Sequence, residues 1–198
     1  MKNTVYIVAI LTLITVITAT PNVNGAEIEM IQFDHIYETE GIRLKLQGTG
    51  LLRYLGVVKA YVGALYLEEE NSIENVLSDI PKRLEVEYFH AIKGEDFGIT
   101  TNKVIAKNTD SQTLKSIRPQ IDYHNSLYED VQPGDRYSLT YIPGRGTELA
   151  LNGKTKGIPE LIKTSEYPYL KGLGFTRKGA FAYCHFPSKT DVYEIEIN

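Results

Sequence analysis

From Ile42 to Leu46 apolar and charged residues alternate (Ile-Arg-Leu-Lys-Leu), which predicts a half-buried strand with Ile42, Leu44 and Leu46 turned inward. Gln47-Gly48-Thr49-Gly50 is expected to break it. Leu51 to Leu67 is a long, mostly apolar run with Gly56 and Gly63 inside it, predicting one or two strands with a bend or bulge at glycine. Three glutamates and Asn71 end that run in solvent. The spacing of Ile73, Val76, Leu77 and Ile80 behind Ser72 predicts a short amphipathic helix stopped before Pro81. Leu84 to His90 alternates again, with Leu84, Val86 and Tyr88 on one face and Glu85 and Glu87 on the other. It is the clearest strand in the chain.

Helical spacing follows. Phe97, Thr101, Val104 and Ile105 share one face of a helix expected from Lys93-Gly94-Glu95-Asp96 to about Asn108. Two shorter helices are expected at about Asp110–Ile117 and Pro119–Tyr128, because Pro119 interrupts a continuous helix. Arg136 to Ile142 predicts a strand with Tyr137, Leu139 and Tyr141 on one face. Pro143-Gly144-Arg145-Gly146 turns into its partner, Thr147 to Leu151, and Asn152-Gly153 turns once more, so the unit reads as a β-meander. Beyond Gly157 the pattern weakens to a helix around Leu161 and Ile162 and terminal strands around Phe181–His185 and Val192–Glu196. No internal repeat or linker is evident.

The N-terminus has a different grain. Lys2 precedes an uncharged run from Val5 to Ala19, then Thr20, Pro21 and a polar stretch to Ala26. That order is expected of a removable export leader over residues 1–25, cleaved after Gly25 or Ala26, with one domain at 26–198 acting in the periplasm or outside the cell. The run is short for a spanning helix, which needs about 20 apolar residues. Removing it takes away one lysine and no acid from a chain of net charge −4. An acidic chain disfavours both nucleic acid and an anionic membrane surface as partners. Cys184 is the only cysteine, so no intramolecular disulfide forms and a buried thiol is expected. With 14 Tyr, 6 Phe and no Trp, the aromatic content is strongly phenolic. Buried phenols need a hydroxyl partner or line a cavity.

Local catalytic motifs are missing. Gly144-Arg145-Gly146 lacks the later glycine and preceding parallel strand of a dinucleotide loop. No phosphate loop and no Gly-x-Ser-x-Gly elbow occurs. His35, His90, His124 and His185 are far apart, and none is paired with an acid at metal-ligand spacing. Neither a metal nor a cofactor is expected.

One stretch is more specific. Gly48-Thr49-Gly50-Leu51-Leu52-Arg53 running on to Lys59-Ala60-Tyr61-Val62-Gly63-Ala64-Leu65-Tyr66-Leu67 resembles the opening sheet segment of the chalcone isomerase-like family, particularly its bacterial exported members. The likeness continues through Pro81-Lys82-Arg83-Leu84, Gly94-Glu95-Asp96-Phe97, Gly134-Asp135-Arg136-Tyr137, Tyr141-Ile142-Pro143-Gly144-Arg145-Gly146-Thr147 and Leu151-Asn152-Gly153-Lys154. It implies an α+β fold: an open-faced β-sandwich whose large antiparallel sheet is covered on one face by helices, with a ligand cleft between the layers.

The resemblance nominates Arg53, whose guanidinium would fork onto an anionic oxygen of the ligand, and Tyr61 as a polar cleft residue. Phe97 and Thr101 on the first helix complete the candidate ligand-binding set. Phe97 departs from the plant-type isomerases, which carry tyrosine after this helix-opening motif, and the same helix offers Thr100 and Val104 where they carry lysine and asparagine. Phenylalanine cannot donate a hydrogen bond to developing oxyanion charge, and losing one such donor typically costs 10²- to 10³-fold in rate. That argues against flavonoid cyclisation. The expected function is an exported protein that binds a small apolar anion, fatty-acid-like, between sheet and helices. The rival expectations are a cofactor-independent isomerase or intramolecular lyase, with Arg53 and Tyr61 in its site, and a non-catalytic interaction module of the cell envelope.

Overall fold

The computed structural model describes residues 25–54, 57–76 and 78–158, and the backbone of 175–176, 179–180 and 195–197. The expected leader up to residue 24, Cys184, His185 and the expected helix around Leu161 lie outside the described residues.

Strong β-formers in alternation build one antiparallel sheet. Its strands are β3 (Ile36–Thr39), β4 (Ile42–Tyr54), β5 (Val58–Glu68), β6 (Lys82–Tyr88), β7 (Arg136–Ile142), β8 (Gly146–Leu151), β9 (Lys154–Gly157) and β12 (Ile195–Ile197). The order is β12-β4-β5-β6-β7-β8-β9, and β3 shares the free edge of β4 with β12. Thus β3 takes Ile42–Lys45 and β12 takes Gly50–Leu52. A separate hairpin, β1 (Gly25–Ile28) with β2 (Ile31–Asp34), precedes the sheet, and a two-stranded ribbon, β10 (Phe175–Thr176) with β11 (Gly179–Ala180), follows.

Between the neighbouring strands β6 and β7 the chain inserts α1 (Gly94–Asn108), α2 (Ser111–Ser116) and α3 (Arg118–Ser126). The motif that opens α1 has a steric reason: a Cβ on Gly94 would stand 2.7 Å from the carbonyl oxygen of Tyr128. Gly94 N–H donates to Asp130 (2.8 Å), and Glu95 and Asp96 place acid in the first turn, where the helix dipole favours it. Asp110 caps α2 by accepting from Gln112 and Thr113.

The sheet separates two cores. On the helix side Leu52, Tyr61, Leu65, Leu84, Val86, Tyr88, Tyr137 and Leu149 pack against Phe97, Ile105, Ile117 and Ile121. On the outer side Leu44, Leu51, Val62, Ala64 and Tyr66 pack with Phe33, and Ile28 and Ile31 of the first hairpin pack against them. The sheet is therefore helix-covered on one face, as expected, and partly roofed by β1 and β2 on the other.

Two local expectations are corrected. Gln47–Gly50 does not end the strand, because the extra residue Gln47 is absorbed as a bulge between Leu46 and Gly48, and β4 runs on to Tyr54. The helix expected from Ser72 shrinks to one 3₁₀ turn, Ile73–Asn75. Buried Lys82 takes the carbonyls of Val76 (2.8 Å) and Ser78 (2.6 Å), fixing the chain there in a loop. Burial lowers the Lys82 ammonium to about 8. The four-residue strands β1 to β3 have no counterpart in the sequence pattern.

Candidate functional site

The helix-side layer is aromatic at its centre. Phe97, held inward by α1, stacks on Tyr128 with ring centres 4.9 Å apart and meets the edges of Tyr88 (5.4 Å) and Tyr137 (5.5 Å). Tyr61 packs edge-on to Tyr88 at 6.0 Å, and Thr100 and Thr101 are buried on α1. The Tyr137 hydroxyl donates to the carbonyl of Glu129 and accepts its N–H, and burial pushes the phenol up to about 12. Tyr61 and Phe97 are thus brought together through Tyr88, with Thr101 on the helix that carries Phe97.

His124 closes this layer from α3. It is fully buried, its Nε2 lies 3.1 Å from the Tyr128 hydroxyl, and its Nδ1 has no hydrogen-bond partner among the described residues. Burial lowers its pKa from 6.5 to about 4. Between those values the unfolded chain takes up a proton that the folded chain refuses, so stability falls as pH drops from 6.5 towards 4. At about 1.4 kcal/mol per tenfold of proton affinity the loss reaches about 3 kcal/mol. Urea unfolding at pH 7 and pH 4 should show it, and His124→Gln, which keeps an amide facing Tyr128, should remove that part of the pH dependence.

Arg53 lies elsewhere. Leu51 belongs to the outer core and Leu52 to the helix-side core, so alternation turns Arg53 outward. Its side chain is 36% exposed and reaches Glu29, in the turn between β1 and β2, at 3.4 Å. Lys59, directly across the hairpin from Arg53, grips the same carboxylate. A register shift between Leu52 and Arg53 leaves Ala60 as the extra residue that separates Lys59 from Tyr61. Arg53 and Tyr61 therefore face opposite sides of the sheet near its rim.

Further in from that rim the helix-facing side of the sheet carries glycines, of which Gly50 and Gly63 are buried and Gly48 is half-buried. Gly48 pairs with Leu65, Gly50 with Gly63, and Leu52 with Tyr61, all in the register that faces the helices. Three glycines thus replace three side chains, and nothing lies within 4 Å of where a Cβ on Gly48 would stand. Lys59, Glu29 and this glycine strip were missed from the sequence. The period-2 spacing of Gly48-x-Gly50 carried the signal for the strip.

The outer face holds a ladder of charge. Arg83 Nε donates to Glu85 (2.8 Å) and its Nη1 to Thr140 (2.6 Å), with Tyr37 stacked on the guanidinium at 3.8 Å. Arg136 donates to Glu85 (3.1 Å), to Glu87 (2.6 Å) and to the carbonyl of Gln32 (3.1 Å), over the ring of Phe33. Burial and the nearby Glu85 raise the Tyr66 phenol. Among the described residues the cations and carboxylates of this ladder are matched to one another. Among the described residues no three His, Cys, Asp or Glu side chains group to hold a metal ion.

A family model described as chalcone isomerase-like matches residues 25–163. The fold is similar to the crystal structure of an Arabidopsis thaliana fatty-acid binding protein, with TM-score 0.52 and 14% identity over 72% of this chain and 81% of that one. No curated protein matches in sequence.

Proposed function

This chain belongs to the chalcone isomerase-like family, and from that premise we propose that it binds a small apolar anion of the fatty-acid class, its acyl chain between sheet and helices and its carboxylate at Arg53 and Lys59. The observation that carries this reading is the convergence of two cations, Arg53 and Lys59, on one carboxylate, Glu29, at the rim of the sheet. A ligand carboxylate replaces Glu29 there, and the tail turns over the rim to the helix-facing side, past Leu52 and Tyr61 towards Phe97 and Thr101. The fatty-acid binding protein of similar fold supports the ligand class. Phe97, ringed by aromatic side chains, gives the isomerase reading no donor at that position. We further propose that residues 1–25 direct export and are removed.

Native mass spectrometry of protein purified from its host tests this. A bound small anion is expected on a chain starting at Ala26 or Glu27, and the Arg53→Ala, Lys59→Ala chain should shed it. A bare native chain that also gives no heat with palmitate contradicts the proposal.

A further inference from the structure

Among the described residues five large apolar side chains stand exposed: Met30, Val57, Val58, Ile99 and Tyr123. Ile99 and Tyr123 belong to α1 and α3. The other three lie along one rim of the sheet. Glu29, next to Met30, grips Lys59, next to Val58, and Val57 precedes them in the turn before β5. Met30 is 88% exposed and Val57 75%. Isolated apolar residues on a surface are ordinary, but three on adjoining hairpin tips form a patch.

The backbone that presents Met30 is itself unusual. Three two-residue hairpin turns here have both residues at positive φ: Glu29-Met30 (52° and 65°), Glu40-Gly41 (49° and 78°) and Asn152-Gly153 (51° and 75°). The last two carry glycine second, as such turns demand. The first holds a methionine in left-handed strain, and the result is a thioether projecting into water. Arg53 and Lys59 flank it with two part-exposed cations against the single carboxylate of Glu29, so this rim has a local surplus of positive charge in a chain of net charge −4.

We propose that this rim docks on the surface of an anionic phospholipid bilayer. Met30, Val57 and Val58 enter the boundary between headgroups and acyl chains, and Arg53 and Lys59 meet the lipid phosphates. The proposal stands on the rim's geometry and does not need the ligand reading.

The chain has no tryptophan, so Met30→Trp in the full chain is a single reporter of this tip, and Tyr123→Trp reports the helix layer. Both are mixed with vesicles of phosphatidylcholine carrying about a quarter phosphatidylglycerol, with and without brominated acyl chains. Emission from the Met30→Trp chain should shift to the blue and be quenched by bromine, while the indole of the Tyr123→Trp chain stays in water. Adding Lys59→Glu to the Met30→Trp chain should weaken partitioning at least tenfold. Unchanged emission from the tip reporter, equal quenching of both reporters, or equal partitioning of the Lys59→Glu form overturns the proposal.

Discussion

Arg136→Ala is expected to lower the stability of the fold by about 3 kcal/mol, more than any other single charged residue at the surface of the sheet. Its guanidinium ties β6 to β7 through Glu85 and Glu87, reaches the carbonyl of Gln32, and covers the ring of Phe33. Removing it leaves Glu87 without its donor, halves the pairing of buried Glu85, and takes away one of the ties between the first hairpin and the sheet. Arg136→Lys should recover only part of the loss, because an ammonium cannot fork across two carboxylates while lying flat on a ring. Arg43, which pairs with Glu38 and Glu69 in water, is the control. Its alanine variant should stay within about 0.5 kcal/mol of the native chain. Urea unfolding reads all three, and an Arg136→Ala midpoint matching that of Arg43→Ala would contradict the role given to the ladder.

The second large effect falls on binding. Arg53→Ala with Lys59→Ala should weaken palmitate binding about 100-fold, because each charge-assisted hydrogen bond to a carboxylate contributes about 1.5 kcal/mol or more. Glu29→Gln should act in the opposite sense. It removes the internal carboxylate that competes for the same two cations, and about tenfold tighter binding is expected if half of that competition is relieved. Neither change should disturb folding much, since both pairs are part-exposed and such pairs contribute at most about 1 kcal/mol.

The strands that alternate cleanly were legible because one periodicity decides each of them. Leu84, Val86 and Tyr88 do face the helices, and Glu85 and Glu87 do face away. What alternation could not say is that the second face is also buried, because Glu85 is neutralised by Arg136, whose partnership depends on how β6 and β7 align. Short strands are hard for the same reason. Four residues such as Ile31–Asp34 carry too few alternations to stand out, and their burial comes from the sheet beneath them. The candidate site suffered most from single-residue shifts. An extra residue at Gln47 turned an expected break into a bulge, and an extra residue at Ala60 set Lys59 opposite Arg53. The shared buried face of Phe97, Thr101 and Ile105 on α1, by contrast, follows from the helical spacing alone.

Calorimetric titration of palmitate into the native chain and the Arg53→Ala, Lys59→Ala chain tests the central claim most directly. Saturable binding by the native chain and a loss of about 100-fold in the variant are predicted. Equal affinity in the two chains, or no binding by the native one, would contradict it.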